Sequence, residues 1–280
     1  MAKSASKKKG QLAKFILNCR PSKDVDKDWN VSAALAAGVL SPKQTVPAAK
    51  DLRDDTWWKI GNQGSTGSCV GWAAADGVLR WHFTIAKRLS KKETLSVRYV
   101  WMASKETDEF TSRPTSFIEQ DGTSLKAALD VARLFGVVTE DVLPFENAPG
   151  APQLFISPDP DDQNPENTFY ALAAQRKIAS YFNLGRDLAK WRAWIATNGP
   201  ILTRLDVDAT WDNATQTAGI LDTYDPARIR GGHCVALVGY TSDHFIVRNS
   251  WDTSWGDKGY AYASNSYTAA AFTEAYGVTL

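Results

Sequence analysis

From Ser68 to about Arg88 the apolar positions recur at steps of three and four. Val70, Ala73, Ala74, Gly77, Val78 and Trp81 share one face, which predicts an amphipathic helix. Leu95–Met102 predicts a second helix with Ser96 as its cap. A third opens at Ser124, runs through Leu125, Ala128, Leu129, Ala132 and Leu134, and stops at Gly136. Residues 144–168 are rich in Pro, Asp and Asn and predict a long loop between two halves. After it the period changes. Lys177-Ile178-Ala179 reads as a short strand, and Arg186–Thr197 as a helix with Leu188, Trp191 and Ile195 on one face, ended by Asn198-Gly199-Pro200. Ile201–Val207, His233–Tyr240, His244–Asn249 and Gly259–Ala263 read as strands, and Thr241-Ser242-Asp243 turns the second into the third as a hairpin. A helical first half and a strand-rich, antiparallel second half make the class α+β.

The segment before these elements reads differently. Residues 1–11 are basic and polar and are expected to be disordered. Residues 12–50 hold a small apolar run, Ala33 to Leu40, broken by Pro42 and Pro47, and are expected to lie on the main domain. The expected division is therefore an N-terminal arm or short pro-segment at 1–50 and a domain at 51–280, mainly helical over about 51–165 and mainly β over about 166–280.

Of the 280 residues 44% are hydrophobic, enough for a substantial core. The net charge of +1 gives no global field toward nucleic acid or anionic lipid, so neither partner is expected. No apolar run approaches the roughly 18 residues of a membrane helix, and the stretch Leu12 to Leu17, broken by Lys14, is too short for a signal peptide. A cytoplasmic location is the expectation, with export by another route left open. Cys19, Cys69 and Cys234 are odd in number and widely spaced, which argues against a disulfide framework and a zinc site. No metal or cofactor is expected, and Cys19 and Cys234 are expected to be structural.

Cys69 is the exception. It follows the Gly/Ser-rich turn Gln63-Gly64-Ser65-Thr66-Gly67-Ser68 and opens the first helix. There the unpaired N–H groups and the positive end of the helix dipole favour a thiolate. A nucleophilic thiol needs a base and a group to orient that base. His233 starts one strand of the predicted hairpin and Asn249 ends the other, so the pairing sets them side by side at one end of a sheet. Gln63, on the turn before Cys69, can donate its side-chain amide to a developing oxyanion, and the Cys69 N–H can supply a second donor.

These residues resemble the papain-like cysteine peptidases. The resemblance rests on three blocks in family order: Asn62 to Cys69, Gly232 to Tyr240, and Arg248 to Tyr260, the last containing Asn249-Ser250-Trp251-Asp252-Thr253-Ser254-Trp255-Gly256. It spans about residues 51–263 and implies a helical half and an antiparallel, β-barrel-like half with the active site in the cleft between them. It further implies peptide-bond hydrolysis, with Cys69 as nucleophile, His233 as base, Asn249 orienting His233, and Gln63 in the oxyanion hole. Trp251 would shield the Asn249–His233 bond and border the substrate, and Gly122 would bond substrate backbone. A peptide or protein is the implied partner, with intramolecular inhibition by residues 1–50.

The chain also departs from the family pattern. Thr66 stands where many members carry a disulfide cysteine, Val70 follows the thiol where Trp or Tyr is usual, and Gly232 precedes the histidine where Asp or Asn is common. The stretch from Cys69 to His233 is longer than the roughly 130–150 residues usual in the family, and the loop at 144–168 accounts for the excess. Two other readings stay open on sequence alone. One is a catalytically idle relative that binds a partner in the cleft; the other is an acyltransferase using the same thiol.

Overall fold

The computed structural model describes residues 15–41, 45–107, 121–145 and 165–280. Residues 1–14, and most of the loop expected at 144–168, lie outside them.

The helical half is built around one long helix, α2 (69–85), which follows a short helix α1, Val31–Ala36. Helix α2 starts as Cys69–Gly71, widens to π-helical turns over Trp72–Leu79 and closes as an α-helix over Arg80–Ile85. Its small residues let neighbours approach: a Cβ on Gly71 would press on Val97 and Trp101, and Gly77 packs on Ala236. Helix α3, Val97–Thr107, lies against it. The predicted cap is present, with Ser96 Oγ accepting from the Tyr99 N–H at 2.9 Å and donating to the Leu143 carbonyl at 2.6 Å. Helix α4, Leu125–Leu134, is capped by Ser124 and stopped by Gly136, whose φ of 98° suits glycine.

The remaining helices are α5, Pro165–Ala173, α6, Leu188–Thr197, and α7, Asn265–Ala271. The strands are β1 Lys50–Asp51, β2 Ser180–Asn183, β3 Ile201–Asp208, β4 Ile220–Leu221, β5 Ile229–Tyr240, β6 His244–Arg248, β7 Tyr260–Ser264 and β8 Phe272–Thr279. They form one sheet in the order β2-β8-β3-β5-β6-β7-β4, with β1 beside the end of β5. All pairs are antiparallel except β4 with β7. The barrel-like expectation needs correction here, because the sheet stays open, with β2 and β4 at its ends. The strand expected at 177–179 lies at Ser180–Asn183: Ile178 and Ala179 are lead-in, and pairing with β8 sets the strand further along.

Strand β5 explains its own continuous apolar reading. Cys234, Ala236 and Val238 face the core shared with α2, while Val235 and Leu237 face a second core containing Trp191, Trp211, Phe245 and Trp251. A buried ionic joint ties the two halves. Asp76 on α2 pairs with Arg80 at 3.0 Å and with Arg248, at the end of β6, at 2.6 Å. Arg80 also donates to the Trp57 carbonyl, Arg248 to the Lys59 carbonyl, and Trp58 Nε1 to the Asp76 carbonyl. The helix that starts at Cys69 is thereby fixed against the strand that runs into Asn249.

Candidate active site

The turn before α2 is bonded directly to the segment after β6. Gln63 N–H donates to the Ser250 carbonyl at 2.8 Å, Asp252 N–H donates to the Gly61 carbonyl at 3.1 Å, and Asn62 bridges Trp251. Within the turn Thr66 Oγ1 donates to the Gln63 carbonyl at 2.7 Å, and Asn62 Oδ1 accepts from the Gly64 N–H. Backbone bonding thus brings Gln63, Cys69 and Asn249 together from opposite halves.

His233 and Asn249 meet as the hairpin requires, with His233 Nε2 2.8 Å from Asn249 Oδ1. The same oxygen accepts from the Ser250 N–H at 2.8 Å, which holds the amide so that its carbonyl faces the imidazole. Nε2 therefore carries the hydrogen, and Nδ1, buried and without a hydrogen bond among the described residues, is the nitrogen left to act as a base. The imidazole acts on the Cys69 thiol and lowers its pKa. Both side chains are fully buried.

Three indoles wall the imidazole. Trp251 lies 4.8 Å from it, Trp211 meets it edge-on at 5.7 Å, and Trp255 stacks on Trp211 at 4.9 Å. Trp211 was not singled out from the sequence. It is held by Nε1–H donation to Tyr267 Oη at 2.9 Å, and that hydroxyl donates to the buried Asp208 carboxylate at 2.7 Å. The eleven tryptophans of the chain are a sequence signal that fits such a wall without placing it.

Gln63 has a fixed orientation. Its Oε1 accepts from Trp251 Nε1 at 3.1 Å and from Ser250 Oγ at 3.0 Å, so Nε2 points the other way, to the Thr66 carbonyl at 3.1 Å and the Ile16 carbonyl at 3.4 Å. The Cys69 N–H, at the first helical position, has no carbonyl one turn back to bond.

The cleft is occupied by the chain itself. Residues 15–20 run through it, paired in parallel with both walls: Asn18 bridges Gly232, and Arg20 bridges Ser124. Cys19 N–H donates to the Gly232 carbonyl and Arg20 N–H to the Thr123 carbonyl, both at 3.0 Å. The walls are glycine at the contacts. A Cβ on Gly122 would collide with the Asn18 carbonyl, and one on Gly232 with the Cys19 carbonyl. Gly122 thus contacts backbone, here that of the N-terminal segment. Phe15 stacks on Trp251 at 4.5 Å with the rings 5° from parallel.

Residues 21–36 secure this segment to the body. Asp28 pairs with Lys126 at 2.7 Å and accepts from Tyr276 Oη at 2.7 Å, Ser22 N–H donates to Glu274, and Ala34 is fully buried. The Cys19 side chain sits over the site, and its contact, then burial, drives the Cys69 thiol pKa well above the ordinary cysteine value, while His233 pulls it down. The presence of Cys19 here could not be read from the sequence, since FILNCR carries no local sign of where it docks. Among the described residues no cluster of His, Cys, Asp or Glu could hold a metal ion, and no helix is long and apolar enough to cross a membrane.

A thiol at a helix start and an imidazole fixed by an amide thus share a cleft between a helical half and an open sheet, an arrangement that suits thiol chemistry. The pattern of the papain family cysteine proteases matches residues 46–277, and the chain belongs to that family. Cathepsin B of Dictyostelium discoideum is 26% identical over 214 residues, covering 72% of this chain and 63% of that protein. Cysteine proteinase 3 of Entamoeba histolytica is 41% identical over 71 residues, 24% of this chain and 23% of that one. The chain spans less than two thirds of the length of either relative. In fold it is similar to xylellain, a cysteine protease from Xylella fastidiosa, with a TM-score of 0.73 and 20% identity over 95% of this chain and 96% of that one. It is also similar to digestive procathepsin L2 from the larval midgut of Tenebrio molitor, with a TM-score of 0.64 and 22% identity over 96% and 80% of the two chains.

Proposed function

We propose that this protein is a cysteine peptidase whose N-terminal arm, within residues 1–50, inhibits the domain at 51–280. The observation that carries the reading is the Cys69–His233–Asn249 arrangement beside the oriented Gln63 amide. His233 Nδ1 takes the Sγ proton, and the thiolate adds to a peptide carbonyl. Gln63 Nε2 and the Cys69 N–H stabilise the oxyanion. The imidazolium then gives its proton to the leaving amine as the C–N bond breaks, leaving a thioester on Cys69. His233 next takes a proton from water, which attacks the thioester and releases the acid. Asn249 keeps Nε2 protonated throughout, and adds no charge beside the ion pair. Gly122 would bond substrate backbone where it now faces Asn18, and Trp251 would contact substrate where it now carries Phe15.

The inhibition rests on position. Ile16, Asn18 and Cys19 take up the oxyanion donor, the wall at Gly122 and the space over the thiol. A chain lacking residues 1–20, treated with an epoxide probe at neutral pH and mapped by mass spectrometry, should carry the probe on Cys69. His233→Ala should abolish the labelling. A peptide library should then be hydrolysed. Products joined to an added amine or thiol would make the protein an acyltransferase, and an unlabelled Cys69 in a folded, truncated chain would make it an idle binder.

A further inference from the structure

The three cysteines, far apart in sequence, converge in the fold. Cys19, Cys69 and Cys234 are all free, all buried and all members of one core cluster. Cys19 is held at several points. Its N–H donates to the Gly232 carbonyl, its own carbonyl accepts from Arg204 Nε at 3.1 Å, and the next residue bonds the opposite wall at Thr123. Its thiol, which contacts the Arg20 carbonyl at 3.8 Å, is coupled to the Cys69 thiol and to the Cys234 thiol, each of which shifts its pKa.

We propose that Cys19 is a redox latch, closing the cleft by a disulfide with Cys69. The deduction about activity rests on Cys69 being the nucleophile, whereas the bond itself needs only the two thiols. The oxidant is a low-molecular-weight disulfide such as oxidised glutathione. With the arm lifted, the Cys69 thiolate attacks one sulfur of that disulfide. The external S–S bond breaks, one glutathione leaves and takes up a proton, and Cys69 holds the other as a mixed disulfide. When the arm closes, Cys19 gives up its proton and attacks the Cys69 sulfur. The Cys19–Cys69 bond forms and the second glutathione leaves with a proton. Two protein thiols are oxidised and one external disulfide is reduced to two thiols. A dithiol reverses the sequence.

Cys69 is the partner rather than Cys234 because it alone combines a helix start with an adjacent imidazole, so it alone is an effective thiolate once uncovered. Cys234 lies within a central strand, and burial pushes its thiol up. The latch gives the arm a second, condition-dependent hold. Non-covalent contacts let it open, and an oxidising environment fixes it shut.

The test uses the full chain. After incubation with oxidised glutathione, free thiols are alkylated and the protein is digested without reduction. The expected product is a Cys19–Cys69 linked peptide pair that dithiothreitol separates. Epoxide labelling of Cys69 should be lost on oxidation and restored by dithiothreitol. Cys19→Ser should stop at glutathione on Cys69. A Cys19–Cys234 link, glutathione on Cys69 with Cys19 alkylated, or three alkylated cysteines would each overturn the latch. The wild-type map decides the matter even if Cys19→Ser fails to fold. If the link forms but the reduced, truncated chain never takes the epoxide, the latch stands and the nucleophile reading falls. If the epoxide labels but no link forms, the reverse holds.

Discussion

Phe15→Ala tests whether the arm holds the cleft by the contacts described. The ring of Phe15 lies flat on Trp251, 4.5 Å away. A stacked aromatic pair contributes about 0.5–1.5 kcal/mol beyond the area it buries. Phe15 is half-buried, and losing some 40 Å² of apolar cover at roughly 25 cal/mol per Å² removes about 1 kcal/mol more. The closed state should therefore weaken by about 1.5–2.5 kcal/mol, which at about 1.4 kcal/mol per decade is roughly 10- to 60-fold. If opening precedes reaction, the second-order rate constant for epoxide labelling of Cys69 should rise by the same factor.

The chain lacking residues 1–20 sets the ceiling for that gain. Truncation should not go further, because Asp28 and Ala34 anchor the next stretch to the body. Phe15→Leu keeps most of the area and loses the stack, so it should fall between wild type and Phe15→Ala. The measurement is the labelling rate against probe concentration, under reducing conditions so that no disulfide contributes. Two results would refute the reasoning. In one, Phe15→Ala labels at the wild-type rate while the truncated chain labels faster. In the other, the truncated chain is no faster than the full one.

Arm closure should depend on pH. Contact with Cys19, together with burial, raises the Cys69 thiol pKa in the closed state. Closure then favours the protonated thiol: its stability is complete below the open-state pKa and is lost as pH rises through the closed-state value. The acid limb of the labelling profile should consequently lie at lower pH in the truncated chain than in the full one. Gln63→Ala should lower the acylation rate by roughly 10²–10³ in single-turnover kinetics, and should destabilise the fold by about 1–3 kcal/mol because Trp251 Nε1 and Ser250 Oγ lose their acceptor. Asp76→Ala leaves Arg80 and Arg248 buried without their carboxylate, at a cost of about 3–5 kcal/mol that urea unfolding would read. His82 is buried, its Nε2 has no hydrogen-bond partner among the described residues, and desolvation lowers its pKa to about 4. Its contribution is full above the unfolded value of about 6.5 and is lost as pH falls toward 4, by up to about 3 kcal/mol, and His82→Phe should flatten that slope.

What could be read from the chain in advance follows from the range of the interactions involved. The Cys69 turn, the His233 strand and the Asn249 block each carry their geometry locally, and the hairpin turn at Thr241 supplies the one long step needed to join the last two. Ser96 and Ser124 announced their helices for the same reason: a cap acts within one turn. Strand β8 gave no such sign. Phe272–Thr279 is buried through a centre of Ala275, Tyr276, Gly277 and Val278, without clear alternation, and it becomes a strand by lying between β2 and β3. Helix α5 begins inside the expected loop at Pro165, a residue that also suits a first helical position.

The arm is the extreme case. Little in Phe15-Ile16-Leu17-Asn18-Cys19-Arg20 specifies a cleft: apart from the Phe15 ring on Trp251, the arm offers its backbone to glycines and to the Gln63 and Arg204 side chains, and its other distinctive group is the Cys19 thiol. Gly232 is where both themes meet: it replaces the acidic or amide residue common before the histidine in the family, and its missing side chain admits the Cys19 carbonyl. The glycine at this position is thus a steric provision for the arm. A side chain at position 232 should expel residues 15–20 while leaving His233 and Asn249 bonded. Gly232→Asn should then label at Cys69 close to the rate of the truncated chain, and labelling as slow as wild type would show that the glycine serves some other end.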